Sequence, residues 1–313
     1  MISNPEGTTA LSSLGWVDHD GLWRFNVASG ETDTIPLRTG GRYSSLHYLG
    51  SDRFAVAHHF DGRRFEVSVR SFSSPGDVLA HAVLEDGENS VAGEPAAWSG
   101  VPLLYVEYLH FAPWNDFALL RISPTTGKAD VQRLQWYDDS YDKGYQGVID
   151  VLALPDDTCA LVSVQRSSRL ILHDLETGTQ RRSIDLGGRG GNPRLALREL
   201  GKEVWASDYD ALVVLGTADW QVLRSARLQS AFTGTQQFIG DFCFAPDQAL
   251  CAVARPFNGD VLAVDLDSLR IKSSAKLGRQ PLEAVALAGG KIVARDWKTG
   301  DLLLGSLERR WFG

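Results

Sequence analysis

One methionine and three cysteines in 313 residues leave little room for thiol or redox chemistry. Cys159, Cys243 and Cys251 show no CxxC spacing and sit in apolar runs. They read as small buried hydrophobes, not as a disulfide framework or a zinc site. No apolar stretch approaches the roughly 18 residues of a membrane span, so no membrane partner is expected. A basic excess is missing too. With 31 Lys and Arg against 39 Asp and Glu the net charge is −8, which excludes a general nucleic-acid binder, since that needs a basic footprint. The start, Met1-Ile2-Ser3-Asn4-Pro5-Glu6-Gly7, has no positive segment and no apolar one, and the expected location is cytoplasmic. Long helical periodicity is absent. So are the HExxH, GxSxG and helix-capped phosphate-loop patterns, and no metal and no cofactor is expected.

What is present is a repeat. Apolar alternating runs begin at Gly21, Arg64, Asp116, Arg169, Ala211, Asp260 and Gly300, roughly every 40 to 50 residues, and most continue through a polar turn into a second strand. The turns ASGE, TTGK and ETGT place glycine where the chain needs positive φ. Shorter apolar runs precede most units, as in VIDVLAL from Val148, DFCF from Asp241 and PLEAVAL from Pro281, each leading into another strand such as CALVSV from Cys159. Two strands before the turn and two around it give four per unit. The expected architecture is all-β: a seven-bladed β-propeller of four-stranded antiparallel blades, one domain over residues 1–313. Its termini are expected to close the ring by sharing a blade, because an unpaired edge invites aggregation.

The stretch from Val261 to Asp296, VLAVDLDSLRIKSSAKLGRQPLEAVALAGGKIVARD, resembles the bacterial YVTN-type propeller repeat, a relative of WD40 and amine-dehydrogenase-like propellers. The YVTN tetrapeptide and the GH and WD dipeptides are missing. The resemblance implies the fold over nearly the whole chain and is almost silent on activity, since such propellers serve as enzymes, redox partners and scaffolds.

In this fold the connections before the first strand and between the second and third strands share one face, the top. The residue ahead of each inner-strand run then points to the upper channel: Asp150, Arg194, Asp241 and Glu283, with Ser45 and Glu94 in the second and third units. Three acids and an arginine there suit a polar small molecule, or an acid/base pair with shifted pKa values. His58 and His110 are the next catalytic candidates, both expected in top-face loops. His58 or His59 with His110 and Asp61 would make a conceivable ligand trio, but adjacent strand residues face opposite ways and a metal is not expected. The rim aromatics Trp114, Trp136, Tyr137, Tyr141, Phe257 and Trp297 are candidates for contacting a ligand or protein partner. The glycine-rich run at residues 187–192 reads as a flexible rim loop.

Two functions stay open. One is a non-catalytic propeller that binds a protein or polar ligand on its top face, with a monomer expected. The other is a propeller enzyme, lactonase-, lyase- or cyclase-like, working through the channel carboxylates or histidines.

Overall fold

A computed structural model describes residues 1–13, 21–37, 43–50, 52–60, 64–85, 88–93, 105–111, 116–122, 129–134, 148–154, 158–164, 166–228, 238–245 and 249–307. Its described strands fall into seven hydrogen-bonded sheets, every pairing antiparallel between chain neighbours. The first sheet holds β1 (Ile2–Ser3), β2 (Thr9–Ser13), β3 (Gly21–Asn26) and β4 (Thr32–Pro36). The second holds β5 (Tyr43–Gly50), β6 (Arg53–Phe60), β7 (Arg64–Ser71), β8 (Ala80–Glu85) and β9 (Glu88–Gly93). The third has β10 (Tyr105–Phe111), β11 (Asp116–Ile122) and β12 (Ala129–Leu134). The fourth comprises β13 (Val148–Ala153), β14 (Cys159–Val164), β15 (Arg169–Asp174) and β16 (Gln180–Asp185). The fifth comprises β17 (Leu195–Arg198), β18 (Glu203–Asp208), β19 (Ala211–Gly216) and β20 (Val222–Arg227). The sixth is β21 (Asp241–Phe244), β22 (Leu250–Arg255), β23 (Asp260–Asp265) and β24 (Ile271–Lys276). The last is β25 (Pro281–Ala286), β26 (Lys291–Asp296) and β27 (Leu302–Ser306).

Four sheets carry the expected four strands; three do not. β9 lies where the third unit was expected to begin, yet it pairs outside β8, with Glu85 opposite Glu88.

First strands pack beside first strands: β13 beside β17, β21 beside β25, and β1 beside both β5 and β25. They converge on the axis while later strands lie outward. The apolar side chains fill the seams between neighbouring sheets. Leu161, Leu170, Leu172, Val204 and Val213 fill the seam of the fourth and fifth sheets. Trp205, Leu212, Phe242, Val253 and Leu262 fill the next. Strands buried on both faces explain why β14, CALVSV, and β18, EVWASD, are buried throughout. Cys243 and Cys251 point into different seams, so they face away from each other.

The first and last sheets also share a seam, lined by Ala10, Phe25, Val285, Leu287 and Val293. The Met1 ammonium meets Glu283 at 3.0 Å, Ala288 N–H donates to Gly7 C=O at 3.0 Å, and Lys291 Nζ reaches Val27 C=O at 3.2 Å. Among the described residues β1 to β4 build the first sheet, β25 to β27 build the last, and the two share this seam.

One turn recurs after third strands. Asn26, Asp174 and Asp265 each accept backbone N–H groups two or three residues on, from Ala28, Glu176 and Thr177, and Ser268 respectively. Asp296 does the same after β26, with Lys298 and Thr299. Such side chains replace the ladder bonds that the chain loses on reversing. Gly30, Gly178 and Gly300 close three of these turns at φ near +70°. Leu269 closes the fourth at φ 54°, a conformation that costs a non-glycine residue energy, and it is held there by burial in the core.

Candidate functional site

The head of each inner strand carries its charge toward the axis, and these charges do different work. Asp150 on β13 accepts the N–H of Leu195 at 2.9 Å and that of Val151 at 2.9 Å. Arg194, just ahead of β17, returns a bond to Ile149 C=O at 3.3 Å. Asp150 and Arg194 thus stitch the fourth sheet to the fifth. Burial pushes the Asp150 carboxyl above its usual range, opposed by Arg194, Leu195 N–H and His47. Glu283 on β25 takes Arg295 at 2.7 Å and the Met1 ammonium at 3.0 Å. Burial alone would raise its pKa; the ammonium, Arg295 and Arg194 overcome that and hold it well below the usual carboxylate range.

Asp241 at the start of β21 differs from both. Burial raises it to about 6, partly offset by the Met1 ammonium and Arg194 and reinforced by the charge of Glu283. Arg194 therefore lies within electrostatic reach of Asp150, Asp241 and Glu283, and Asp241 within reach of Glu283. His47 on β5 joins them, a residue that sequence reasoning passed over.

The raised Asp241 value has a signed consequence. Between its ordinary 3.8 and about 6 the folded chain binds more protons than the unfolded one. Stability then falls as pH rises through that window and levels above it. Glu283 acts in the opposite sense, and its contribution fades only at lower pH. Asp241→Asn is expected to flatten the decline between about pH 4 and pH 6. Thermal midpoints across pH check this, and parallel curves for the two proteins would refute it.

The histidines are placed differently from expectation. His58 and His59 are strand residues of β6, opposite Ser44 and Tyr43, not members of a loop. His58 is buried, at 1% exposure, because an eight-residue strand carries it into the sheet interior. His110 is likewise within a strand, β10, opposite Phe117. Trp114, Trp136, Tyr137, Tyr141, Asp61 and Glu94 lie outside the described residues. No His, Cys, Asp and Glu cluster suited to a metal occurs among the described residues.

The top face of the last three sheets carries an aromatic row. Tyr209, in the turn between β18 and β19, has its ring centroid 6.3 Å from Phe238. Phe238 lies 6.1 Å from Phe257, and Phe257 lies 5.5 Å from Trp297, all three pairs edge to face. Phe257 and Trp297 are 45% and 41% exposed, high for rings of this size. Their turns are firmly held. Arg255, fully buried, forks onto Asp260 at 2.9 and 2.7 Å and reaches Leu228 C=O at 3.0 Å, fixing the turn that presents Phe257. Asp296 accepts Gln280 N–H at 3.0 Å besides the two turn amides behind Trp297.

The glycine run beside Tyr209 is not a loose rim loop. Gly191 N–H donates to Asp208 at 3.0 Å and Gly190 N–H to Ser168 Oγ at 2.7 Å. Gly191 approaches so closely that an added Cβ would sit 2.4 Å from Tyr209 N, and one on Gly188 would overlap the Asp208 carboxylate. These glycines are there for close approach between chain segments.

Axial strands, outward sheets and seam cores together define a WD40-like β-propeller. No protein-family model matches the chain, and no curated protein matches it. Solved structures do. The chain is similar to the β-propeller domain of Cps50 (Swd1) from Myceliophteria thermophila, with a TM-score of 0.65 and 13% identity over 97% of this chain and 94% of that one. It is also similar to a chain of the mitotic checkpoint complex, with a TM-score of 0.57 and 10% identity over 95% and 83%. At such identity the likeness concerns fold. No helix among the described residues is long and apolar enough to cross a membrane.

Proposed function

We propose that this protein is an interaction propeller that holds a protein partner on its top face. The aromatic row from Tyr209 to Trp297, half-buried at Tyr209 and Phe238 and exposed at Phe257 and Trp297, carries the reading. Aromatic rings on rigid turns give large contact area at small entropic cost, and rings of this type dominate binding hot spots. The two similar structures, one of them from a checkpoint complex, agree with a scaffold role. In this reading residues 1–313 form one domain, the seven sheets are seven blades of one ring, and the seam between first and last sheets closes it. The finer kinship with YVTN-type repeats rests on the strand and turn pattern between Val261 and Asp296.

A photo-crosslinking side chain at position 257 or 297, expressed in the native cell, is expected to yield a discrete product. The same group at Val222, equally exposed on an outer strand, is expected to yield none. Equal capture at all three positions, or none at 257 and 297, would overturn the reading.

One observation favours catalysis instead: Asp241, near pKa 6, beside Arg194. There Asp241 would exchange the proton and Arg194 would hold an anionic substrate group, while Glu283, doubly paired, is unsuited to proton transfer. A lactone and lyase substrate panel tests it, with a loss of about 100-fold or more expected for Asp241→Asn. No turnover by the native protein of any panel member ends that reading.

A further inference from the structure

The aromatic row is flanked by cations on a protein whose net charge is −8. At the Tyr209 end, Arg166 and Arg189 are exposed, and their segments pack on the row through glycine. A Cβ on Gly190 would lie 3.0 Å from Arg166 C=O, and Gly191 abuts Tyr209 itself. At the other end Lys298 follows Trp297 and is exposed. Among the described residues none of these three cations is ion-paired. Arg279, against the Phe257 turn, is matched by Asp301 at 2.7 Å.

Of the acids in the same turns Asp208, Asp210 and Asp296 are buried, while Asp185 is exposed and accepts Gly187 N–H at 2.8 Å. The ring spacings bound the row at about 18 Å, room for about five residues of extended chain at ~3.3 Å each. A surface that is apolar along its middle and cationic at both ends complements one kind of segment.

We propose that the row takes an extended acidic peptide of a partner protein, with carboxylates on Arg166, Arg189 and Lys298 and apolar side chains against Phe257 and Trp297. The proposal rests on the interaction reading and adds the partner's chemistry to it. Opposite charge at the ends sets register and speeds encounter, and the rings supply the burial.

Fluorescence polarisation of the full chain tests it with a short labelled peptide alternating Glu and Leu, and with its Gln and Lys counterparts. The Glu peptide is expected to bind at least about tenfold tighter than the Gln one, and more weakly as salt rises. Arg166→Ala, Arg189→Ala and Lys298→Ala combined are expected to weaken it about tenfold, and Trp297→Ala likewise. Arg227→Ala, an exposed cation on the outer strand β20, should leave it within about twofold. All five substituted side chains are exposed, and unchanged thermal midpoints verify folding. Equal binding of the Gln peptide, or equal loss in Arg227→Ala, overturns the proposal. So does a dimer that dissociates on Trp297→Ala, which would make the occupant a second copy. Crosslinks at 257 that persist without acidic-peptide binding would sink this inference and leave the interaction reading standing.

Discussion

Asp260→Ala is expected to destabilise the fold by about 3–5 kcal/mol, the cost of orphaning a buried charge. The Arg255 guanidinium would keep Leu228 C=O and lose both carboxylate bonds in a site with no access to water. Replacing both partners by apolar residues, as in Arg255→Met with Asp260→Leu, should recover most of the loss, because the penalty lies in the unpaired charge. Denaturant midpoints at constant slope distinguish these outcomes. A loss under about 1 kcal/mol in Asp260→Ala would show that the pair is solvated. The same change should disturb ligand capture at Phe257, since Arg255 begins the turn that displays it.

Gly191→Ala is the second large effect. Its methyl would meet the backbone N of Tyr209 at 2.4 Å and Cα at 3.0 Å. Backbone cannot rotate aside, so the strand ends must part and the bond to Asp208 must lengthen. Overpacking of this kind costs about 1–3 kcal/mol, and an unsatisfied buried carboxylate adds to it. Tyr209 already holds φ 53°, so little slack remains to absorb the shift. Gly187→Ala is the control. Its φ is +72° but nothing stands within 4 Å of the added methyl. That variant should lose only the backbone penalty, about 1–2 kcal/mol. Thermal melts of both, with peptide binding as second readout, check the ranking. Equal destabilisation would mean that the loop yields.

The third strands were legible from the sequence because each is a short apolar run with a polar turn after it. GLWRFN, RLILHD and DVLAVD read as strands and form β3, β15 and β23. The inner strands VIDVLA, DFCF and PLEAVA were legible too, and with them the ring of Asp150, Asp241 and Glu283. Their individual roles were not. Sequence spacing places a carboxylate at a strand head but does not tell whether the neighbouring sheet will bond it, as Leu195 N–H bonds Asp150. His58 was misplaced because a histidine pair before Phe60-Asp61-Gly62 looks like the start of a turn, whereas the strand continues through it. Tyr209 and Phe238 escaped selection for the opposite reason. Tyr209 is a single aromatic between two aspartates and Phe238 stands at the head of an apolar strand run, and only the fold brings the four rings together.

The seam between the first and last sheets sets an order of assembly. Within a sheet the partners are close in sequence; the Met1 to Glu283 contact spans 282 residues. Closing so long a loop costs roughly 1–2 kcal/mol more in chain entropy than closing one of blade length. Contacts of that span are formed late and released early. The sheets should therefore form first from their locally paired strands, and this seam should form last. Under mild denaturant the fold should also part there first, the chain ends loosening while Trp205 and its neighbours stay packed.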